Sequence, residues 1–392
     1  MNRLVILAPN WLGDAVMALP AIADVRRAAP DATIAVAARP AIAPLFQLVP
    51  GVNETIVLGA RLSNASRAPS SRASRGTTCK SGPLFAGGAG LLGACANFAN
   101  TLLERSVSIV NVARWHELGV EIGGKGFDTA LLLPNSIHAA LLASRAGIPN
   151  VWGYRSDWRG ALLTRAIRRT SGLHQVEYYQ QLVHALGFPN GPIEPRASVP
   201  ADARAAGARL LTGAGWDGRS PLVAIAPGAA YGGAKRWPPA YFAELANALS
   251  ADGVRCLMIG SGADAATGGE VARAFPTFAR GDNERATAGL EVIIDLIGRT
   301  DLPTLAGVLA HCRALVTNDS GAMHLAAAVG VSVTAVFGPT DERATRPMGD
   351  AHEVLTHPVW CRPCMLRECP IDHRCMRGIE VAAVLAAARR TL

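Results

Sequence analysis

The chain has 392 residues, half of them hydrophobic, with few aromatics and a net charge of +8 that comes mostly from arginine. That length is long for one hydrophobic core and sets two domains as the expectation. No extended pattern of interleaved basic and aromatic residues suggests a nucleic-acid platform; the positive charge suits an anionic partner, or is simply a solvated surface.

Pro9-Asn10 interrupts the N-terminal Met1 to Leu7 run too soon for a signal peptide. Leu4 to Ala8 is instead expected as a first strand, in a chain whose eight Cys stay reduced in the cytoplasm. Asp14 to Ala29 is expected as one helix. Thr33 to Ala37 and Ile56 to Leu58 follow as strands. Asp128 to Leu133 is another strand, ended by Pro134-Asn135-Ser136 before a helix through Ala146. Short strands separated by helices predict a parallel, doubly wound α/β sheet. Residues 61–114 break this grammar. Ser63 to Thr78, rich in Ser and Arg, is expected to be disordered, and the uncharged stretch Ser81 to Leu103 is long enough to span a membrane. Its glycines, proline and asparagines make it a poor span, and a surface insertion is the expectation.

Gly187 to Pro195 reads as a linker. The grammar then repeats. Leu222 to Ala226, Arg255 to Ile259, Ile293 to Leu296, Ala314 to Val316 and Val333 to Phe337 are expected strands. Tyr241 to Ser250, Ser261 to Phe275 and Met323 to Val329 are expected helices, with another closing the chain. Residues 1–190 and 200–392 are therefore expected to form two similar domains with a cleft between them.

Besides Pro134-Asn135-Ser136, three strand-end segments carry polar groups, and in an open parallel sheet such ends bind ligands. Asn10-Trp11-Leu12-Gly13-Asp14 follows the first strand. Gly13 allows close backbone approach, and Asp14 is either a base for an acceptor hydroxyl or a helix-start carboxylate. Pro227 to Pro238 is a Gly-rich loop carrying Lys235, either a charge for a diphosphate or a solvated lysine. It lacks the Gly-Lys-Ser/Thr ending of a Walker loop. Thr317-Asn318-Asp319-Ser320-Gly321 is expected as a turn into a helix. Asp319 can accept from ribose or sugar hydroxyls, and Ser320 can cap the helix or donate to phosphate. His324, four positions on, shares that helix face, or is a core histidine. No Asp-x-Asp sequence occurs.

Asn10 to Asp14, Leu133-Pro134-Asn135-Ser136, Pro227-Gly228 through Lys235-Arg236-Trp237-Pro238, and Thr317 to Gly321 with His324 occur in one order. Together they resemble the ADP-heptose:lipopolysaccharide heptosyltransferases, glycosyltransferase family 9, and among them the type II enzymes. The likeness covers nearly the whole chain except about 61–114. It implies a GT-B fold of two Rossmann-like domains, with acceptor on the first and ADP-sugar on the second. It implies inverting transfer of L-glycero-D-manno-heptose from ADP-heptose to the first heptose of the lipopolysaccharide inner core, without a required cofactor. The family's general base maps to Asp14 and its loop lysine to Lys235. Its donor contacts map to Asp319, Ser320, Gly321 and His324, and to Ala230 and Tyr231 before the lysine. An acidic ribose contact would be Asp264, and Thr300 would line the adenine pocket. Asn10, Gly13, Asn135 and Ser136 fall on the acceptor side. Such an enzyme would work in the cytoplasm, at the inner face of the inner membrane, with a lipid-linked acceptor and no nucleic acid.

Cys361, Cys364, Cys369 and Cys375, with His373 among them, permit a tetrahedral metal site or four reduced thiols. Two other functions stay open on sequence: a nucleotide-sugar epimerase on the same fold, and a non-catalytic nucleotide-sugar binder. An epimerase would need acid and base groups beside one sugar ring and no acceptor.

Overall fold

A computed structural model describes residues 1–59, 121–275 and 293–392. The expected insertion, 61–114, lies outside the described residues. The chain order is β1 (Arg3–Leu7), α1 (Leu12–Met17), α2 (Leu19–Ala28), β2 (Thr33–Ala38), β3 (Glu54–Val57), β4 (Thr129–Leu132), α3 (Ile137–Arg145), β5 (Asn150–Tyr154), β6 (Arg165–Ile167) and α4 (Gln175–Ala185). The second half runs α5 (Ala201–Gly213), β7 (Leu222–Ala226), α6 (Pro239–Ala251), β8 (Arg255–Met258), α7 (Ala265–Ala274), β9 (Ile293–Asp295), α8 (Leu302–Leu309), β10 (Ala314–Asn318), α9 (Gly321–Val329), β11 (Ser332–Phe337), α10 (Glu342–Thr345), β12 (His352–Thr356), α11 (Arg374–Arg377) and α12 (Val381–Arg389).

Each half holds a six-stranded sheet, β3-β2-β1-β4-β5-β6 and β12-β11-β10-β7-β8-β9. Every pairing is parallel. Counted within each half, both follow the order 3-2-1-4-5-6 of a dinucleotide-binding fold. The central strands are mostly apolar and buried, as strands covered on both faces must be, with Arg3 opening β1 and Thr317 and Asn318 closing β10 as the polar exceptions. The expected strands are found, and β5, β6 and β12 are additions.

The helix expected over Asp14 to Ala29 is two. α1 ends at Met17 with Ala18 as its cap, and α2 has Pro20 in its first turn. A proline there has no N–H to return to the preceding turn, so the helix restarts. Thr317 and Asn318, expected in a turn, are the last residues of β10.

One apolar core joins the halves: Leu4, Val16, Ile22 and Phe46 share it with Leu257, Leu305, Met323 and Phe337. α5 and α8 touch backbone to backbone. A methyl group at Gly307 would lie 2.0 Å from the Ala203 carbonyl oxygen, and one at Gly207 2.4 Å from the Gly307 carbonyl carbon. No helix among the described residues is long and apolar enough to cross a membrane.

Candidate functional site

The site forms where the helix starts of the two halves meet. A methyl group added at Gly13 would lie 2.9 Å from Cδ2 of His324, and one at Gly321 2.8 Å from Cβ of Leu12. Glycine on each side thus lets α1 approach α9 closely. This contact brings Asp14, in the first turn of α1, into the electrostatic neighbourhood of Lys235 and Asp319. Burial raises the Asp14 carboxyl above its ordinary pKa; Lys235 opposes the rise and Asp319 adds to it.

Lys235 is not a solvated lysine in a loose loop. It ends a short 3-10 turn, Gly233–Lys235, and its ammonium meets Oδ2 of Asp319 at 2.5 Å. The Thr340 hydroxyl donates to the same oxygen at 2.7 Å. Only 12% of the Lys235 side chain and 8% of that of Asp319 are exposed, so the pair is weakly screened. The ammonium also stands 4.7 Å from the centroid of the Tyr231 ring, and the Arg367 guanidinium 5.2 Å from it.

Asn318 ties the second-half loops together. Its Oδ1 accepts from the Trp237 amide at 2.9 Å, and its Nδ2 donates to the carbonyls of Pro227 and Gly228. Ser320 stands at the N-cap position of α9 but its side chain makes no cap bond. Its hydroxyl pairs with that of Thr317 at 3.1 Å instead. The first amides of α9 are therefore not capped by Ser320, the one capping side chain the sequence offers there. His324 is buried, and burial pushes its pKa down to about 4 despite Asp319 nearby. It is a neutral imidazole at physiological pH.

The other expected donor residues spread along the carboxyl end of the second sheet. Ala230 is exposed, and Tyr231 donates its hydroxyl to the Met365 carbonyl at 2.8 Å. Asp264 accepts from Ser261 and lies against Gly228, where a methyl group would meet its Oδ1 at 2.1 Å. Thr300 is half-buried beside the helix-capping Asp301, after β9. On the first half, Asn10 is exposed. Asn135 exchanges hydrogen bonds with the Tyr178 hydroxyl at 2.8 and 3.1 Å. Ser136 caps α3, so its hydroxyl already has a local task.

Among the described residues no three His, Cys, Asp or Glu side chains are grouped to hold an ion, while the thiols of Cys361, Cys364 and Cys369 lie near enough to that of Cys375 to act on its charge. The cysteine segment also braces the Lys235 loop. Glu368 accepts from the Gly233 amide at 3.0 Å, the Arg367 carbonyl accepts from Ala234 at 2.9 Å, and Arg362 binds the carbonyls of Gly338 and Thr340. Cys375 is buried, and burial together with the neighbouring thiols raises its pKa. Arg362, Arg367, Glu368, Asn318 and Thr340 are thus site residues that sequence reading missed. Of these, Thr340, just past β11, and Asn318, at the end of β10, carried a strand-end signal.

Residues 115–374 match the model of glycosyltransferase family 9 (heptosyltransferase). The chain is 27% identical to lipopolysaccharide heptosyltransferase 2 of Escherichia coli over 362 residues, covering 90% of this chain and 87% of that one. It is 30% identical to lipooligosaccharide heptosyltransferase 2 of Haemophilus influenzae over 236 residues, 58% of this chain and 65% of that one. The solved ADP-heptose lps heptosyltransferase II of E. coli superposes with a TM-score of 0.73 at 25% identity, covering 100% of this chain and 98% of that chain. With two Rossmann-like sheets meeting at one polar seam, and a family match over most of its length, the chain is a GT-B enzyme and belongs to glycosyltransferase family 9.

Proposed function

We propose that the protein transfers L-glycero-D-manno-heptose from ADP-heptose to the first heptose of the lipopolysaccharide inner core, with inversion. The reading rests on the likeness to type II heptosyltransferases over most of both chains. The observation that carries the chemistry is the seam at Gly13 and His324, which sets the Asp14 carboxyl beside the Lys235–Asp319 pair. Residues 1–190 would take the acceptor and 200–392 the ADP-sugar.

In this reading Asp14 removes the proton of the acceptor hydroxyl. Its raised pKa makes it a stronger base than a solvated carboxylate. The acceptor oxygen attacks the anomeric carbon from the face opposite ADP, and the carbon–oxygen bond to the diphosphate breaks. Lys235 and the uncapped amides at the start of α9 stabilise the departing charge. Asp319 holds Lys235 in place and, with Thr340, offers groups to the sugar. Ala230, Tyr231, Asp264, Thr300, Ser320, Gly321 and His324 complete the donor side, and Asn10, Gly13, Asn135 and Ser136 the acceptor side. The net positive charge favours work at an anionic membrane surface, the inner face of the inner membrane.

Incubation with ADP-heptose and a heptose-primed lipid A core should add the mass of one heptose, with ADP release that depends on the acceptor. ADP release or sugar isomerisation without acceptor would speak for an epimerase instead.

A further inference from the structure

Past β5 the chain turns sharply at the carboxyl end of the first sheet. A cavity of about 510 Å³ opens there, lined by Arg155, Ser156, Asp157, Trp158, Gly160 and Ala161 among others. Trp158 is 98% exposed. Asp157 and Trp158 both have positive φ, 45° and 59°. For a bulky residue such a backbone is costly, and it persists only where the surroundings enforce it.

Those surroundings are firm. Arg159, fully buried, donates to the carbonyls of Tyr154, Pro134 and Ser136. The Ser156 hydroxyl donates to the Asn135 carbonyl at 2.7 Å, and the Arg155 amide to Ile167 at 2.7 Å. A rigid base thus holds a large apolar ring in water, where it gives the fold nothing. An indole held this way offers a flat face to the C–H side of a sugar ring.

The charges nearby suit the same ligand. Arg155 lines the cavity, and Arg168 and Arg169 follow β6 with exposed side chains. The Arg169 guanidinium lies 5.9 Å from the ring of Tyr178, whose hydroxyl binds Asn135, and the next residue, Tyr179, feels the charge of Asp14. Packed rings of Tyr154, Tyr178 and Tyr179 thus run from the strand that leads into the cavity toward Asp14. Arg165 is already engaged, donating to the Leu186 carbonyl and stacking on Trp152.

We propose that this cavity is a saccharide subsite for the acceptor. It rests on the transfer reaction proposed above. Trp158 stacks on a sugar ring, Asp157 and Ser156 accept hydroxyl hydrogen bonds, and Arg155, Arg168 and Arg169 meet an anionic substituent such as phosphate.

The test uses the full chain with a deacylated, heptose-primed core oligosaccharide, phosphorylated or enzymatically dephosphorylated. Trp158→Ala should raise the acceptor KM by about tenfold, the effect of losing one stacked contact. Trp158→Phe should recover most of it, with donor KM and turnover at saturation unchanged. Arg155→Ala with Arg168→Ala should raise KM for the phosphorylated acceptor and leave the dephosphorylated one alone. Calorimetric titration of the acceptor into wild type and Trp158→Ala carries the same comparison without turnover. Normal acceptor KM and binding in Trp158→Ala would overturn the subsite while leaving heptosyl transfer standing. Wild-type protein that binds no acceptor overturns the subsite, and wild-type protein that transfers no heptose overturns the reaction itself. Loss of adsorption to acceptor-free anionic vesicles, with the oligosaccharide KM unchanged, would make Trp158 a membrane contact and overturn the subsite.

Discussion

Asp14, the proposed base, is partly buried at the seam, and burial raises its pKa. Asp14→Asn keeps the shape and removes the proton acceptor, so turnover should fall about a hundredfold or more, with ADP affinity nearly unchanged by calorimetry. Burial raises the folded-state pKa, so the activity of the wild type should climb with pH through a limb above the ordinary carboxylate value of about 3.9. The same shift has a stability sign. The folded state binds this proton more tightly than the unfolded chain, so its contribution is full at low pH and is lost as pH rises through the raised value. At neutral pH Asp14→Asn should therefore melt no lower than wild type, which a thermal scan checks. His324 runs the other way. Its depressed pKa, about 4, makes its contribution fully present above its unfolded pKa and lost as pH falls from there through about 4. Lys235→Ala and Asp319→Ala should each weaken ADP binding by about 1–3 kcal/mol, the range for a charge-assisted hydrogen bond. Unchanged titrations in both would put the nucleotide elsewhere. Asp14, Lys235, Asp319 and His324 could be singled out in the sequence because each lies within nine residues of the end of an apolar strand, while the roles proposed for them come from the family resemblance. Asn318 and Arg367 were not: one looks like an ordinary turn residue, and the other reaches the site from the far end of the chain.

At the scale of elements, buried runs such as Leu222 to Ala226 declare themselves as strands. β6 and β12 did not, because they are edge strands with half-exposed residues and no apolar run. The break between α1 and α2 was written in Pro20, yet Ala and Leu on both sides masked it. The contact of α5 with α8 was unreadable, since nothing in two helices nearly a hundred residues apart says that Gly207 will face Gly307. It sets a clear expectation: Gly307→Ala, whose methyl would strike the Ala203 backbone, should lower stability by about 1–3 kcal/mol, read as a shifted denaturant midpoint. An unchanged midpoint would mean the helices can part freely. The cysteine segment was read for its thiols, whereas its backbone and Glu368 are what touch the Lys235 loop. Glu368→Ala should raise the donor KM severalfold and spare acceptor KM, because it frees the Gly233 amide without removing a charge from the donor.

For the molecule as a whole, the repeated strand–helix grammar was enough to expect two doubly wound sheets. The seam between them was not, because it depends on two glycines whose partners lie some three hundred residues away along the chain. The stretch 61–114 separates β3 from β4 without interrupting either sheet. Replacing it with a short Gly/Ser linker should leave one cooperative unfolding transition, since loop-closure entropy changes slowly with length. Aggregation of the shortened protein would assign that stretch a packing role. Each sheet is also built from one continuous piece of chain, and α12 returns to its own half, packing on α6. The covalent crossing near 187–200 is therefore a tether between parts already glued by shared apolar contacts and by bonds such as that of His174 to the Arg346 carbonyl. Cut there, or expressed as two polypeptides, the pieces should find each other and regain transfer: the enzyme is in effect a heterodimer that happens to be synthesised as one chain.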